Sequence, residues 1–511
     1  MTAGIARVHT TEITHARLHG ARHVLLLAVL LGVVADTVLR LAPGGLGWLL
    51  WMLASAGAVL YLARHLERPL AREPLAWLGV AVACAALFAW RDAEQLRVAS
   101  LFGTLVAVAL FSMTAAGVPA TSIGAARVRD VLAGGLFAVL DLIAGAPVLL
   151  TREATLHTLP VVRGGASWSA LRAFVLTAPI VFVFTLLLSR ADPVFASLFA
   201  LPTLDPERII THVIITGAFA WWSAGWMRGA LLGSRWRAAP PPQLPVRLGM
   251  VEVSTSLGAV IVLFAVFVAL QLRWLFGGAE VVLATTGLTV AEYARRGFFE
   301  LVVVTLLVLP LILTTHALAA NDAVARRHRQ LASGLAALLA AIIASALLRM
   351  RLYVAYFGLT TDRLYATVLM VWLAVILVAL ALTVLRGRSR PFAAAAVLSG
   401  FATLLVLNAM NPERVVARVN LGRAPGATGI DWAYLARLSG DAAPDVARAL
   451  VAEPPSPVAC KAAQSMRARW LRNDDASSNL GARQGRAAVL DALTEGEVQR
   501  LCSGGGSSGA S

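Results

Sequence analysis

The chain has 511 residues, of which 59% are hydrophobic and only 14% charged, and its mean hydropathy is +0.75. A soluble domain carries about 25% charged residues, so a soluble globular protein is excluded. The net charge of +16 is almost all arginine, Lys461 being the one lysine. From Asn411 onward there are 12 basic and 10 acidic residues, so +14 of the +16 belongs to the part before it. That charge lies in short connections between apolar blocks, where it orients helices and meets anionic lipid, and it argues against nucleic acid as a partner.

Residues 1–22 are polar and basic and read as a cytoplasmic amino-terminal segment. The apolar run that follows contains Asp36 and Arg40 and has no small-residue cleavage site, so it reads as a first membrane span. The expected spans are 23–41, 44–63, 75–90, 96–117, 170–189, 209–233, 251–276, 297–320, 331–349, 365–385 and 392–410. The fold class is therefore all-α: a helical membrane bundle over 23–410, then a small helical domain over 411–502 and a Gly/Ser tail at 503–511.

A twelfth apolar block, 131–150, is interrupted by Gly134, Gly135, Gly145 and Pro147 and carries Asp141 at its centre. An aspartate there costs roughly 3 kcal/mol on insertion scales. Arginines supply a second argument. Arg7/Arg17/Arg22, Arg64/Arg68/Arg72, Arg127/Arg129 with Arg152/Arg163, Arg235/Arg237/Arg247, Arg326/Arg327/Arg329 and Arg386/Arg388/Arg390 form one set of connections. The other set is poorer or acid-balanced, as in Arg91, Arg97, Asp92 and Glu94, or in Arg190, Asp192, Asp205, Glu207 and Arg208. The first set is cytoplasmic throughout only if 131–150 does not cross, so that block is expected to be re-entrant or interfacial. About eleven spans result, with the amino terminus inside and the tail outside. Heavy Ala, Leu and Arg usage points to a GC-rich bacterial genome, hence to a bacterial cytoplasmic membrane.

No phosphate-binding loop, zinc motif or dinucleotide fingerprint is present, and no cofactor or metal is expected. Gly505–Gly509 matches G-x-S-x-G only within low-complexity sequence. His15, His19 and His23 share one helix face and read as a basic juxtamembrane segment ahead of a zinc site. Gly217, Gly225, Gly229 and Gly233 form a small-residue stripe, expected to pack within the chain. Thr289 and Glu292 form a capping box that opens a helix. Along it Glu292, Arg296 and Glu300 alternate in sign at four-residue spacing, and an ion pair between Arg296 and Glu300 is expected. Gly358–Tyr365 echoes that outer connection and hints at an internal repeat. The candidate functional polar residues are Asp141, Arg190, Asp192, Glu292, Tyr293, Arg295, Arg296 and Glu300. Cys460 and Cys502 both fall in the tail and are candidates for a disulfide there if it is extracytoplasmic.

Five stretches together resemble a bacterial family of multi-pass membrane proteins, catalogued as domain of unknown function 4173 and related to 4153. They are Ser189–Phe195, Glu292–Leu301, Gly358–Thr360 with Arg363 and Tyr365, Asp431–Ser439 and Asp441–Pro444. The resemblance runs from roughly 170 to 500 and implies a polytopic protein with an extracytoplasmic helical tail, without supplying an activity or catalytic residues. Near Trp470 it is less close, since Ser478 precedes Asn479-Leu480 where the family carries tryptophan. An envelope scaffold or sensor is the favoured reading, with the tail binding a partner protein and the bundle meeting lipid. A transporter or channel is the alternative. A lipid- or glycan-active enzyme is third, because no cluster of Asp, Glu or His marks a membrane face.

Overall fold

In the computed structural model the described residues are 2–115, 122–153, 177, 181, 184, 188, 206–233, 246–286, 298–423, 430–472 and 478–503. The chain is all-helical there, with a single isolated bridge between Leu248 and Ala319. In chain order the helices are α1 (Thr2–Leu41), α2 (Leu46–His65), α3 (Arg72–Trp90), α4 (Glu94–Ala115), α5 (Val128–Val148), α6 (Pro206–Met227), α7 (Met250–Thr286), α8 (Phe298–Ala317), α9 (Asp322–Phe357), α10 (Thr361–Leu382) and α11 (Arg390–Met410). Six shorter ones follow: α12 (Pro412–Leu421), α13 (Trp432–Leu435), α14 (Ala443–Ala452), α15 (Pro457–Arg472), α16 (Leu480–Ala492) and α17 (Glu495–Cys502).

Nine helices among the described residues are long and apolar enough to cross a membrane, which makes this a multi-pass integral membrane protein. Leucine, valine and phenylalanine lie exposed along them, as at Leu26, Phe102, Val262 and Val378. Bare apolar side chains all around a bundle are what hydrocarbon, not water, tolerates. The helices form two groups. α1–α4 and α6 share one core around Val59, Leu62, Phe111 and Met227. α7–α11 share another around Leu257, Ile312, Leu339 and Leu373. α11 joins them by packing on α4, where Gly103 leaves room for Leu404.

The bundle has two unlike faces. Arg68 Nη1 donates to the carbonyl of Leu231 at 2.6 Å, and the Glu73 carboxylate accepts from Ile123 N at 2.7 Å. Together with the Leu248–Ala319 bridge, these contacts gather the ends of α2, α4, α6 and α8 and the starts of α3, α5, α7 and α9 on one face. Arg64, Arg68, Arg72, Arg127, Arg129, Arg326, Arg327, Arg329, Arg386, Arg388 and Arg390 all lie at or next to helix ends there. The other face carries α12–α17, the cap. For the connections Arg64–Arg72, Arg127–Arg129, Arg326–Arg329 and Arg386–Arg390, and for Arg91–Glu94 on the cap side, the division into basic and acid-balanced sets coincides with the two faces.

α5 begins on the basic face, while α6 begins on the cap face, where His212 meets Asp36 near the end of α1. α5 itself is continuous over the block expected to be re-entrant, and Val128–Thr151 has the length and hydropathy of a span. Its packing shows its depth. Gly145 lies against Gly225, and Asp141 against Gly229, in the part of α6 nearest its basic-face end at Leu232.

The glycine stripe explains this approach. A Cβ at Gly145 would come within 2.7 Å of the Gly225 Cα, and one at Gly225 would overlap the backbone carbonyl of Asp141. Gly217 and Gly233 face open space. Only the middle of the stripe is a packing surface, and it is used within the chain.

The amino-terminal segment read as a separate basic piece, 1–22, is the start of α1, a single helix of 40 residues. Similarly α7 and α9 run past the apolar stretches that announced them, to 37 and 36 residues.

Candidate functional site

The cap has its own core around Trp432, Leu435, Val446, Leu450, Met466, Trp470, Val489 and Leu501, and Leu359 from the α9–α10 connection is part of it. Cys460 and Cys502 are bonded, with Cα atoms 4.7 Å apart, so α17 is tied to α15 as expected. Thr494 caps α17 by accepting from Glu497 N at 3.3 Å, but the Glu497 carboxylate turns to Arg500 rather than closing the capping box.

Where the cap meets the bundle, polar groups that are separated by hundreds of positions interlock. Asp441 Oδ2 accepts from the backbone amides of Asp92 at 2.7 Å and Ala93 at 2.9 Å. In return Asp92 Oδ2 accepts from Gly440 N at 2.7 Å. Arg91 donates twice to the carbonyl of Asn408, at 2.8 and 2.5 Å, and its Nη1 lies 3.5 Å from Asp441 Oδ1. The carbonyl at Asn408 belongs to the last turn of α11, where no intrahelical donor remains.

Asn479 performs two tasks. Its Oδ1 caps α16 by accepting from Ala482 N at 3.0 Å. Its Nδ2 donates to the carbonyl of Arg91 at 2.8 Å, with Gly44 and Phe88 carbonyls at 3.3 and 3.4 Å. One amide thus ties the cap to both the α1–α2 and the α3–α4 connections. Gly440 and Gly481 make the approach possible, since a Cβ at Gly440 would lie 2.5 Å from the carbonyl of Gly481.

Asn411 ends α11 in the left-handed conformation (φ 55°) and caps α12, accepting from Arg414 N at 3.3 Å. This turn places Glu413 beneath the joint, where its Oε2 accepts from Ser439 N at 2.5 Å. Burial pushes the Glu413 carboxyl above its ordinary range, against the Ser439 bond and with the Asp441 and Asp92 charges adding to the rise. Burial likewise raises Asp441, outweighing the two amides and Arg91. One oxygen of each of Asp441, Asp92 and Glu413 accepts from backbone amides, and among the described residues no set of three His, Cys, Asp or Glu side chains could hold a metal ion.

At the far end of α12, Asn420 exchanges hydrogen bonds with the backbone of Leu359, and Arg423 donates to the carbonyls of Ala355 and Tyr356 at 2.8 and 3.2 Å. Between the two ends, Arg414 and Arg418 both bind Asp445 Oδ2, at 2.9 and 2.8 Å, and Arg448 binds Oδ1. Burial alone would raise Asp445; the hydrogen bonds from Arg414 and Arg418 hold it below the usual carboxylate range instead.

Of the residues singled out from sequence, Asp141 is 3% exposed and lies against Gly229, where a Cβ would sit 2.6 Å from its Oδ2. Arg228, equally buried, is in the π-helical turn Arg228–Leu232 that holds Gly229. Arg190, Asp192, Glu292, Tyr293, Arg295 and Arg296, with the Thr289 capping box, lie outside the described residues. Glu300 is in the first turn of α8, and its side chain lies outside the described residues. At the echoing connection Thr360 does cap α10, accepting from Arg363 N at 3.4 Å. His23 packs on His65 of α2, the ring centroids 4.1 Å apart. The joint residues Arg91, Asp92, Glu413, Asp441 and Asn479 were not singled out as functional. The available signal was Asn411-Pro412-Glu413 directly after the last span, the signature of a new helix that must start where the membrane ends.

No curated protein and no solved structure matches the chain. A family model, "Domain of unknown function (DUF4153)", matches residues 78–449, from within α3 to within α14, and so includes both sides of the Asp92–Asp441 joint. The motif resemblance named domain 4173; the model that matches is instead its relative 4153, and the match begins some ninety residues earlier, at 78. With most of its length covered by that match, the chain is a member of the DUF4153 family of membrane proteins.

Proposed function

We propose that the protein is an envelope scaffold or sensor in a bacterial cytoplasmic membrane, its basic face in the cytoplasm and its cap outside. The observation that carries this reading is the reciprocal Asp441–Asp92 joint, reinforced by Arg91 and Asn479. A cap bonded to three connections of the bundle is not a tethered module. Whatever binds the cap bears directly on the starts of α2, α4 and α10 and on the end of α11. The arginine-rich opposite face supports the orientation, and the Cys460–Cys502 bond fits an oxidising compartment. Exposed cap residues such as Val458 and Leu471 are suited to capture a partner. A photo-crosslinking residue at either position in living cells is expected to give a discrete adduct with an envelope protein. Without any adduct from several such positions, the scaffold reading fails.

The burial of Asp141 and Arg228 where α5 crosses α6 favours transport as the second reading, since ionisable residues at membrane depth are costly and mark pathways. Solute or proton flux in proteoliposomes that Asp141→Asn abolishes would establish that reading instead.

A further inference from the structure

Arginines are scarce on the outward connections of a membrane protein, yet three of them converge on a single carboxylate just beyond the last span. Arg414 and Arg418 reach Asp445 from α12, and Arg448 reaches it from α14. One aspartate neutralises one guanidinium, leaving two positive charges over. Arg414 and Arg418 spend only their Nε on Asp445, so their terminal nitrogens are directed elsewhere. The side chains are 43%, 60% and 68% exposed, whereas the Asp445 side chain is 9% exposed. A buried carboxylate holding three half-exposed guanidiniums in place is an arrangement that presents donors outward.

Depth identifies what those donors face. α11 ends at Met410 and α12 begins two positions later, after the turn at Asn411. Arg414 and Arg418 therefore stand within roughly 12 Å of the end of the span, at 1.5 Å per helical residue. The other end of α12 is fastened by Asn420 and Arg423 to the end of α9, where Tyr356 and Phe357 are exposed beside Tyr353. Exposed aromatic residues at a helix end mark the hydrocarbon boundary. α12 thus lies along that boundary, and the exposed Val419 and Met410 beside the arginines offer an apolar edge.

We infer that Arg414, Arg418 and Arg448, organised by Asp445, form a binding site for the headgroup of an anionic phospholipid in the leaflet on the cap side. A phosphodiester with acyl chains satisfies both features at once. Its oxygens take the free guanidinium donors, and its chains lie along the apolar edge of α12. A soluble anion would use only the first.

The test uses full-length protein in nanodiscs of phosphatidylcholine containing increasing phosphatidylglycerol, with retained lipid counted by native mass spectrometry. Saturable retention of phosphatidylglycerol over phosphatidylcholine is expected. Arg418→Gln with Arg448→Gln should weaken it about tenfold, each surface arginine contributing a few-fold. Arg414 remains paired with Asp445 in that variant, so the fold is preserved, and its thermal midpoint in lipid-free detergent should fall only slightly below the parent's. Arg386→Gln with Arg388→Gln, on the opposite face, should leave the retention that depends on Arg418 and Arg448 unchanged. Equal retention of both lipids, or undiminished retention in the Arg418/Arg448 variant, overturns the proposal. Displacement of the lipid by millimolar inorganic phosphate would also overturn it, by making a free anion the ligand.

Discussion

Asp441 and Asp92 exchange hydrogen bonds across the junction of cap and bundle: each carboxylate accepts from backbone amides of the other's loop, at 2.7 Å in both directions. Two carboxylates side by side would repel in most settings. Here each faces N–H donors, and Arg91 lies between Asp441 and the end of α11.

Removing the Asp441 carboxylate should therefore loosen the cap. Asp441→Ala forfeits two amide bonds and leaves Arg91 with the Asn408 carbonyl but no carboxylate, at an expected cost of about 3 kcal/mol. Asp441→Asn keeps an acceptor in place and should cost less. Thermal unfolding of the purified protein, followed by hydrogen exchange in α14 and α16, reads both. Equal stability of Asp441→Ala and parent would mean that apolar contacts alone hold the cap.

The joint should strengthen on mild acidification. Glu413 is raised above its ordinary 4.5 and Asp441 above its ordinary 3.8. A raised carboxylate binds its proton more tightly in the folded protein than in the unfolded one. Stability from this source is present below the unfolded value and is lost as pH rises through the folded value. The Asp445 carboxyl, which is lowered, acts oppositely, and its contribution disappears only as pH falls below 3.8. As pH falls towards the ordinary 4.5 of a glutamate, the parent should gain stability relative to Glu413→Gln, which lacks the titrating carboxyl. Identical pH dependence of parent and Glu413→Gln contradicts the assignment.

The glycines of α6 should differ sharply although they share one stripe. Gly225→Ala forces a methyl onto the carbonyl of Asp141 and should cost about 1–3 kcal/mol. Gly217→Ala meets nothing within 4 Å and should stabilise the helix by up to about 1 kcal/mol. Detergent melting curves of the two variants check the contrast. A dimerisation stripe would instead make Gly217→Ala alter the oligomeric state.

Alkaline phosphatase fused after Gly509 should be active and the same enzyme fused after Pro242 inactive, with the reverse result overturning the orientation. In the intact protein Cys460 and Cys502 should resist alkylation until reduced. The loop they close, with a separation of 42 residues, stabilises the cap by roughly 4 kcal/mol in the chain-entropy account.

The spans were legible because about twenty apolar residues in a row leave few alternatives. Helix ends were less so: hydropathy registers only the part of α1 or α9 in hydrocarbon, and the polar turns at Thr2–His19 or Arg326–Arg329 continue the same helices unseen. Asp141 announced itself as an anomaly, but the glycine surface that accommodates it depends on which helix crosses α5. The joint was illegible for a plainer reason. Asp441 and Asp92 are separated by 349 positions, and neither has a local pattern that names the other.

That separation has a consequence for how the molecule comes to exist. The α3–α4 connection, with Arg91 and Asp92, leaves the ribosome early, and its partners Asn408, Asp441 and Asn479 emerge only after the last span. Until then the amides of Asp92 and Ala93 must be satisfied by water or lipid headgroups. The cap is thus the closing step of biogenesis: a chain that stops before Asn479 can insert its helices, yet its outer surface stays unfinished, with the bundle's early loops still open to quality-control proteases.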